Sequence, residues 1–467
     1  MERVVVMRGR RAVLWIAVCS MWVMAAQASA APATDLDTTF GPSGNGYWQA
    51  TNGGWAPGEA VVQPDGKILV SGGVIDAESG IFNFVLYRLT QDGIPDTTFS
   101  GDGIRTTYFG TSLKYAQAST VLVQADGRIV EVGTADGTAG EFTALVRYMP
   151  NGAPDTSFGD SGRSLIAPPT GYHAGAIDAA LRPGGGILVV FGAVNLSGQS
   201  TQRWITLGLT ADGLPDPTWG PGGFRITDPA YSSAAVSPDS IAIQSDGKPV
   251  VAGHLLPGGG IAARYKTNGH LDATFDGDGR LALPQLSTMD DVAALPGGAL
   301  AFSGLAQPAD KVITDPNGDP QTLSGFKSSR ILQRLADGSP DPAFGTAGMA
   351  GFHKGSNLFF DSPDTGSGGL TRQSTGAWIL GASVYDHWDF ACGDVTPVIS
   401  RPVLARFGAT GVRDMAFSGN GLALGPADWA SFVGDLVVQS SDRIVVANSV
   451  NCTFHNDVLR VMRFPAS

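Results

Sequence analysis

The sequence predicts an all-β fold: a seven-bladed β-propeller with four-stranded blades, in which the N-terminal strand completes the last blade. Three observations support this prediction. A hairpin sequence recurs seven times, an Asp-x-x-aromatic sequence recurs seven times between the hairpins, and the two chain ends are fragments of the same repeat. Sustained helical periodicity is not seen, and four short β signals per repeat are typical of a propeller blade.

The hairpin sequence is clearest at residues 63–73, QPDGKILVSGG. Asp65 and Gly66 occupy its turn, because both residues tolerate the positive φ of a two-residue hairpin loop. The other copies lie at 124–133, 182–192, 244–253, 295–304, 373–382 and 439–448. Six copies keep Gly in the turn, whereas the last has Ser441-Asp442.

The second sequence has an Asp, an aromatic residue three positions later, and then a Gly-rich turn. Its seven Asp residues are Asp37, Asp96, Asp155, Asp216, Asp272, Asp341 and Asp414. Their spacings are 59, 59, 61, 56, 69 and 73 residues, so the last two repeats carry insertions. We expect each Asp to accept backbone N–H bonds across its turn, and each aromatic ring to pack between blades.

The ends of the chain predict how the ring closes. The chain opens on an Asp-x-x-aromatic sequence plus one strand and stops after the third strand of the last repeat. We therefore expect residues 44–51 to pair with the blade at 433–465. This pairing would remove two open sheet edges, which otherwise invite aggregation.

The repeat resembles that of the secreted bacterial delta-60 repeat proteins, over nearly all of residues 36–467. LTQDGIPDTTFSGDG with VLVQADGRIVEVG, and YKTNGHLDATFDGDG with IAIQSDGKPVVAG, carry the resemblance. The strand order is also similar to that of NHL-type propellers. This resemblance implies that the hairpin joins the two inner strands of each blade. It implies no shared activity.

The first 30 residues have the features of a secretory signal peptide. Four Arg residues precede an apolar run at 12–26, and Ala28-Ser29-Ala30 provides small residues for cleavage after Ala30. A twin-arginine signal at Arg10-Arg11 and a lipoprotein signal at Cys19 are weaker alternatives. We expect residues 31–467 to form one propeller domain that is exported to the periplasm or the extracellular space.

Charge and hydropathy limit the classes of partner. Without residues 1–30, the chain has 26 basic and 41 acidic residues, a net charge of −15. Such a chain is repelled by phosphate backbones, so we expect no nucleic-acid partner. Later segments lack the roughly 18 uninterrupted apolar residues of a membrane helix, so we expect no membrane span after cleavage. We expect a monomer.

The inferred strand order gives the disc two different faces. The face that carries the hairpin turns and the Asp-x-x-aromatic turns is here named the uniform face. The opposite, variable face carries the loops of unequal length, with the longest at 305–328, 349–367 and 383–400. Because insertions on a repeat scaffold often carry function, we expect ligands on the variable face.

Aromatic residues that lead into the inner strands are the candidate binding residues on this face. They are Trp55, Tyr115, Tyr172 with His173, Tyr231, Phe359 with Phe360, and Trp429. Exposed rings there can stack on sugars or on apolar peptide groups. The alternative is that these rings pack between blades.

Two further features concern metals and cysteines. Asp276 with Asp278, and Asp315 with Asn317 and Asp319, place oxygen ligands at alternate positions, as calcium loops do, but neither has the downstream bidentate Glu. Calcium is therefore a weak expectation, and we expect no other cofactor. Cys392 and Cys452 lie in corresponding loops of adjacent blades, which predicts a Cys392–Cys452 disulfide with two free thiols as the alternative.

The function that these observations favour is non-catalytic binding of a protein or glycan through the variable face. The alternative is an enzyme, either glycan-processing or a metal-dependent hydrolase, with its site at the mouth of the channel. Sequence signatures of nucleophilic or metallopeptidase catalysis are not found in the chain, and no catalytic residue is nominated.

Overall fold

The computed structural model describes residues 35–51, 54–138, 140–195, 203–228, 235–256, 258–306, 311–314, 320–323, 328–352, 367–389, 396–428, 431–451 and 457–466. Within these ranges, no helix is long and apolar enough to cross a membrane. The secondary structure there is β-strand apart from three single 3-10 turns at Pro221–Gly223, Pro296–Gly298 and Phe417–Gly419.

The strands form seven four-stranded antiparallel sheets, which confirm the predicted blades. Blade 1 contains β2 (Gly54–Val62), β3 (Ile68–Ile75), β4 (Phe82–Leu89) and β5 (Ile104–Thr107). Blade 2 contains β6 (Leu113–Val123), β7 (Ile129–Gly137), β8 (Gly140–Tyr148) and β9 (Arg163–Ile166). Blade 3 contains β10 (Tyr172–Leu181), β11 (Ile187–Asn195), β12 (Arg203–Leu209) and β13 (Phe224–Thr227).

The remaining blades follow the same pattern. Blade 4 contains β14 (Ala235–Ile243), β15 (Pro249–Leu256), β16 (Gly260–Arg264) and β17 (Arg280–Leu283). Blade 5 contains β18 (Asp291–Ala294), β19 (Leu300–Ala306), β22 (Ser328–Arg334) and β23 (Met349–Phe352). Blade 6 contains β24 (Ser367–Arg372), β25 (Trp378–Asp389), β26 (Thr396–Phe407) and β27 (Leu422–Leu424). Blade 7 contains β28 (Ser431–Val438), β29 (Ile444–Asn451), β30 (Asp457–Phe464) and β1 (Tyr47–Gln49).

The blades are arranged in a closed ring. The first strand of each blade contacts the first strand of the next, from β2 through β28 and back to β2. These seven strands therefore surround a central channel. The apolar core lies between blades: Val130 and Leu145 of blade 2 share one cluster with Val189 and Phe191 of blade 3.

The Asp-x-x-aromatic sequence forms the turn that we expected. In blade 2, Asp155 Oδ1 accepts bonds from the Ser157 N–H (3.1 Å) and hydroxyl (2.7 Å). The Phe158 ring is fully buried, and a Cβ on Gly213 of the next blade would collide with it. Because Gly213 also has φ +77°, the turn of one blade requires Gly where the ring of the preceding blade packs.

The N-terminal strand closes the ring, in agreement with the sequence. β1 pairs with β30 in antiparallel register, with Trp48 opposite Val461. Trp48 is buried, and its ring centroid lies 5.3 Å from that of Tyr87 in blade 1. A strand from one chain end thus binds the last blade through hydrogen bonds and the first blade through packing.

Replacing Trp48 with Ala tests this closure. We expect a loss of about 3–5 kcal/mol in stability, since a buried Trp is removed where the ends of the chain meet. Thermal unfolding followed by near-ultraviolet circular dichroism measures the change. Thr51→Ala, at an exposed position just after β1, is the control. Equal melting of the two variants would contradict closure by this strand.

Candidate functional site

The described candidate aromatic residues lie within strands rather than in loops. Trp55, Tyr115, Tyr172 and His173 belong to the first strands of blades 1, 2 and 3. These strands continue toward the variable face because long second strands pair with them; Tyr172, for example, pairs with Asn195. Tyr231, Phe359, Phe360 and Trp429 lie outside the described residues.

Tyr115 and Tyr172 have different surroundings. Tyr115 is 40% exposed, and its ring centroid lies 5.3 Å from that of Phe82 in blade 1. Its hydroxyl donates a hydrogen bond to Gln117, and burial of the hydroxyl raises the pKa of Tyr115. Tyr172 is half-buried and packs on the cluster between blades 2 and 3. Tyr115 therefore remains a candidate contact residue, whereas Tyr172 matches the packing alternative.

The predicted calcium ligands are only partly described. Asp278 Oδ1 accepts the Arg280 N–H (2.9 Å), and its Oδ2 lies 3.5 Å from Arg280 Nη1. Asp276 adopts φ 49° in the same turn. Among the described residues, no group of three or more His, Cys, Asp or Glu side chains could hold a metal ion. Asp315, Asn317, Asp319, Cys392 and Cys452 lie outside the described residues, so both the second calcium loop and the disulfide stay predictions.

The variable face carries elements that extend beyond the regular blade. The hairpin of β20 (Lys311–Thr314) and β21 (Pro320–Leu323) lies between β19 and β22 and forms a separate two-stranded sheet. In blade 6, β25 and β26 have 12 residues each, against six in β24. Ile75, Tyr108 and Tyr115 add large exposed apolar side chains near blades 1 and 2.

Four carboxylates lie at one position of the first strand, four residues before the position that begins the hairpin sequence. They belong to blades 1, 3, 5 and 7: Glu59, Asp178, Asp291 and Asp435. All four lie in the first strands, which surround the channel, and are here named the channel carboxylates. Hydroxyl residues or Gly occupy the position in the other blades: Thr120, Ser240 and Gly369.

These carboxylates bind the backbone of the following blade. Asp178 Oδ1 accepts the Ala179 N–H (2.7 Å), and its Oδ2 accepts the Ile241 N–H of blade 4 (2.8 Å). β-Bulges free such N–H groups from the strand ladder, as at the register shift between Pro238 and Ser240. Asp291 accepts the Leu370 N–H (3.1 Å) and Asp435 the Ala60 N–H (2.8 Å) in the same way.

Burial raises the pKa of all four channel carboxylates. The pKa of Asp178 rises to about 6 and that of Asp435 to about 7, with repulsion from Asp291 adding to the burial effect. The pKa of Glu59 rises well above its ordinary value, again through burial first and then the neighbouring carboxylates. Glu59 Oε2 is buried with no hydrogen-bond partner among the described residues.

A His–Asp pair lies on the first hairpin of blade 4. His254 Nδ1 is 2.6 Å from Asp239 Oδ2, and each side chain is 20% exposed. The hydrogen bond that His254 donates to Asp239 raises the pKa of His254, whereas burial raises the pKa of Asp239. No hydroxyl or thiol hydrogen-bonded to His254 is seen in the described part of the chain, so the pair has an orienting acid but no recorded nucleophile.

Glu131 is a fully buried acid in the second strand of blade 2, at a position that is Val70 in blade 1. It accepts the Tyr148 hydroxyl (2.8 Å), which also lies 2.7 Å from the Thr107 hydroxyl of blade 1. Burial raises the pKa of Glu131 to about 8, although the Tyr148 bond and the charge of Arg105 oppose that rise. It is therefore a buried polar junction between two blades.

An Arg on the third strand connects the turns of neighbouring blades on the uniform face. Arg147 Nε bonds Asp155 Oδ2 (2.8 Å), its guanidinium carbon lies 4.8 Å from the Phe158 ring centroid, and its Nη1 donates to Ala211 O of blade 3 (2.8 Å). Arg88, Arg264, Arg406 and Arg463 repeat the ion pair and the ring contact in blades 1, 4, 6 and 7. Arg is therefore the repeat's main polar connection between blades.

Sequence reasoning did not find these Arg residues or the channel carboxylates. The Arg signal was present, since YRL, VRY, ARY and ARF each place an Arg eight residues before the Asp of an Asp-x-x-aromatic sequence, and MRF stands at the same point of the last repeat. The carboxylate signal was weaker, because the acid occurs only in alternate blades and its partners are N–H groups that a β-bulge in the next blade frees.

Comparison with known proteins agrees with the architecture. Residues 63–99, 124–158 and 244–275 match the model of a domain of unknown function (DUF5122) that is a beta-propeller. No curated protein sequence matches the chain. The chain thus has the fold and the partial sequence signature of a β-propeller family to which no activity is assigned.

The solved structures that resemble this chain are distant from it in sequence. The polysaccharide lyase Uly1 shares 9% identity over 88% of this chain and 90% of its own, with a TM-score of 0.40. Sqt1 of Chaetomium thermophilum, bound to the N-terminus of ribosomal protein L10, shares 13% identity over 90% of this chain and 98% of its own, with a TM-score of 0.38. These likenesses concern the shape of the fold and select no function.

Replacing Asp272 with Asn tests the buried ion pair on the uniform face. Arg264 and Asp272 are both nearly inaccessible, and their Nε and Oδ2 atoms lie 2.9 Å apart. We expect a loss of about 3–5 kcal/mol, because Arg264 would keep a buried charge without its partner. Thermal denaturation measures the loss. Asp278→Asn breaks the more exposed pair with Arg280 and should cost less than about 1 kcal/mol; similar losses would contradict the assignment.

The channel carboxylates predict how stability depends on pH. Their folded pKa values exceed the unfolded values, so the folded chain binds more protons and loses stability as pH rises from about 4 through 7. We expect the unfolding free energy to fall between pH 5 and pH 8, by on the order of 1–3 kcal/mol for Asp435. Denaturation at several pH values measures this slope. Asp435→Asn should flatten the slope, whereas the exposed Asp102→Asn should leave it unchanged.

Proposed function

We propose that this protein is an exported, non-catalytic propeller that binds a protein or glycan ligand through its variable face. The supporting observation is the pair of structures on blades 5 and 6 that extend from this face, the β20–β21 hairpin and the long β25–β26 pair. Export rests on the signal-peptide features of residues 1–30, and kinship with the delta-60 repeat proteins rests on the repeat sequence. We also propose that the mature protein is a monomer.

The polar groups of the scaffold support binding over catalysis. The Asp and Arg residues of the uniform face are committed to turns and to contacts between blades, as Asp155 and Arg147 show. Three of the four channel carboxylates accept two or more backbone or side-chain hydrogen bonds, which fix them in place. These groups therefore hold the ring together, and the extensions are left as the variable part of the surface.

The extension on blade 5 can be removed without breaking the blade. Ala306 and Ser328 are register partners in β19 and β22, so an Asn-Gly turn can join them in place of residues 307–327. We expect this variant to melt like the parent chain but to lose ligands detected by a glycan array and by protein capture. Leu214→Ala, at a position 54% exposed on the uniform face, is the control and should keep those ligands. A shortened variant that keeps every ligand would contradict binding through this extension.

A propeller enzyme is the second candidate, and the His254–Asp239 pair favours it. A carboxylate at 2.6 Å from a ring nitrogen can orient a histidine base. Assay of the mature chain on polysaccharides and model esters, beside His254→Ala, tests this candidate. Turnover by the parent chain that disappears in His254→Ala would replace the binding proposal with a hydrolase.

A further inference from the structure

Among the described residues, two clefts lie on the uniform face, each between neighbouring blades. The larger has a volume of about 780 Å³ and lies between blades 1 and 2, while the second is about 380 Å³ and lies between blades 4 and 5. The first is within the usual size of small-ligand sites, roughly 300–1,000 Å³. It lies on the face opposite the proposed binding extensions, so a ligand bound there would occupy a second, separate site.

The hairpin Gln normally closes the gap between two blades. Gln124 Nε2 donates to Gly185 O (3.4 Å) and Ala211 O (3.2 Å) of the following blade. Gln244 Nε2 donates to Gly298 O (2.5 Å), and Gln439 Nε2 donates to Gln91 O (2.9 Å). In these blades the side-chain amide binds the main chain of its neighbour.

Gln63 departs from this pattern. Its side chain is nine-tenths buried and lines the larger cleft, and among the described residues its Oε1, like that of Gln244, has no hydrogen-bond partner. No bond from its Nε2 is recorded within the described residues either. The corresponding main-chain groups of blade 2, at Gly127 and Pro150, also line the cleft. The cleft therefore lies where, in the described part of the chain, the hydrogen bond from the hairpin Gln to the next blade, present in the other blades named above, is missing.

Burying Gln63 Oε1 without a partner costs free energy, about 1–3 kcal/mol for an unsatisfied group. An occupant that satisfies Gln63 must offer both a donor and an acceptor. Elsewhere in the ring, the same amide binds main-chain carbonyls, including Ala466 O near the end of the chain, which accepts from Gln373 Nε2 (3.1 Å). The repeat itself thus shows that this position recognises peptide main chain.

The rest of the lining agrees with such an occupant. Val61 and Val123 supply an apolar floor, and Lys67 and Asp65 supply opposite charges at the rim, 3.0 Å apart. The residues that line the cleft include no aromatic ring, which is the side chain that usually stacks on sugars. A neutral, amide-bearing ligand matches these groups better than a glycan does.

We propose that the cleft between blades 1 and 2 binds an extended peptide segment of a partner chain, with Gln63 hydrogen-bonded to its main chain. The apolar floor takes the side chain that points inward, and the rim charges stay paired with each other. Arg88 keeps its own bond to Pro150 O, so it holds the two blades together beside the cleft.

The test is a titration of the mature chain with N-acetyl-trialanine amide, followed by NMR of Gln side-chain amides and Val methyl groups. We expect saturable shifts at Gln63 and at Val61 and Val123, and none at Gln439, whose amide is already bonded, or at Val62, whose side chain packs toward blade 7. Gln63→Ala should weaken binding about three- to tenfold, the effect of losing one or two hydrogen bonds.

Two variants separate loss of the site from loss of the fold. Ala125→Trp places a large side chain at an exposed position of the cleft lining and should abolish binding while the chain melts normally. Gln439→Ala removes a closed connection and should leave binding unchanged. Unsaturable shifts, equal responses at Gln63 and Gln439, binding retained by Ala125→Trp, or saturation by cellobiose in place of the peptide would each overturn the proposal.

Discussion

The ion pair between the third-strand Arg and the turn Asp holds together a turn, an aromatic side chain and the neighbouring blade. In blade 2, Arg147 binds Asp155, covers the Phe158 ring and donates to Ala211 O of blade 3. One guanidinium therefore fixes the turn, the aromatic side chain and the next blade together. Planar geometry with five donors makes Arg, and not Lys, suited to bind several acceptors at once.

Blades 3 and 5 lack this Arg, and a different residue donates to the turn Asp in each. In blade 3 the position is Gly208, where a Cβ would lie 2.5 Å from Trp219 Cβ. Arg182 of the hairpin takes over, bonding Asp216 Oδ2 at 2.6 Å and covering the Trp219 ring. In blade 5, Gln333 donates to Asp341 Oδ2 at 2.6 Å. The turn Asp keeps a donor in each of these blades because an acid this close to the blade interior needs one.

The channel shows how an odd number of blades limits an alternating pattern. Thr120 donates to Asp178 (3.1 Å) and Ser240 to Asp291 (3.0 Å), so a hydroxyl blade precedes an acid blade. With seven blades the alternation cannot close, and the acids of blades 7 and 1, Asp435 and Glu59, become neighbours. Burial raises the pKa of both groups, and repulsion from Asp178 and Asp291 adds to it in each case, with Asp435 also repelling Glu59. A mildly acidic medium therefore favours the folded ring.

The sequence by itself determined the repeat, the four strands of each blade, the turns at Asp65-Gly66 and Asp155, and closure by the strand around Trp48. These features depend on local periodicity, on turn residues that tolerate positive φ, and on the number of strands at the two chain ends. All three can be read from the order of residues along the chain. The signal peptide, the calcium loops and the Cys392–Cys452 bond stay sequence-based predictions.

Only the tertiary structure decided which polar groups meet. Glu59 and Asp435 are 376 residues apart, and β-bulges in the first strands are needed to free the N–H groups that such acids bind. Likewise, the QPDGK sequence is the same kind of hairpin whether its Gln is bonded or free. The open amide of Gln63 depends on how blades 1 and 2 pack against each other. That packing is set by distances across the ring, which no spacing along the chain specifies.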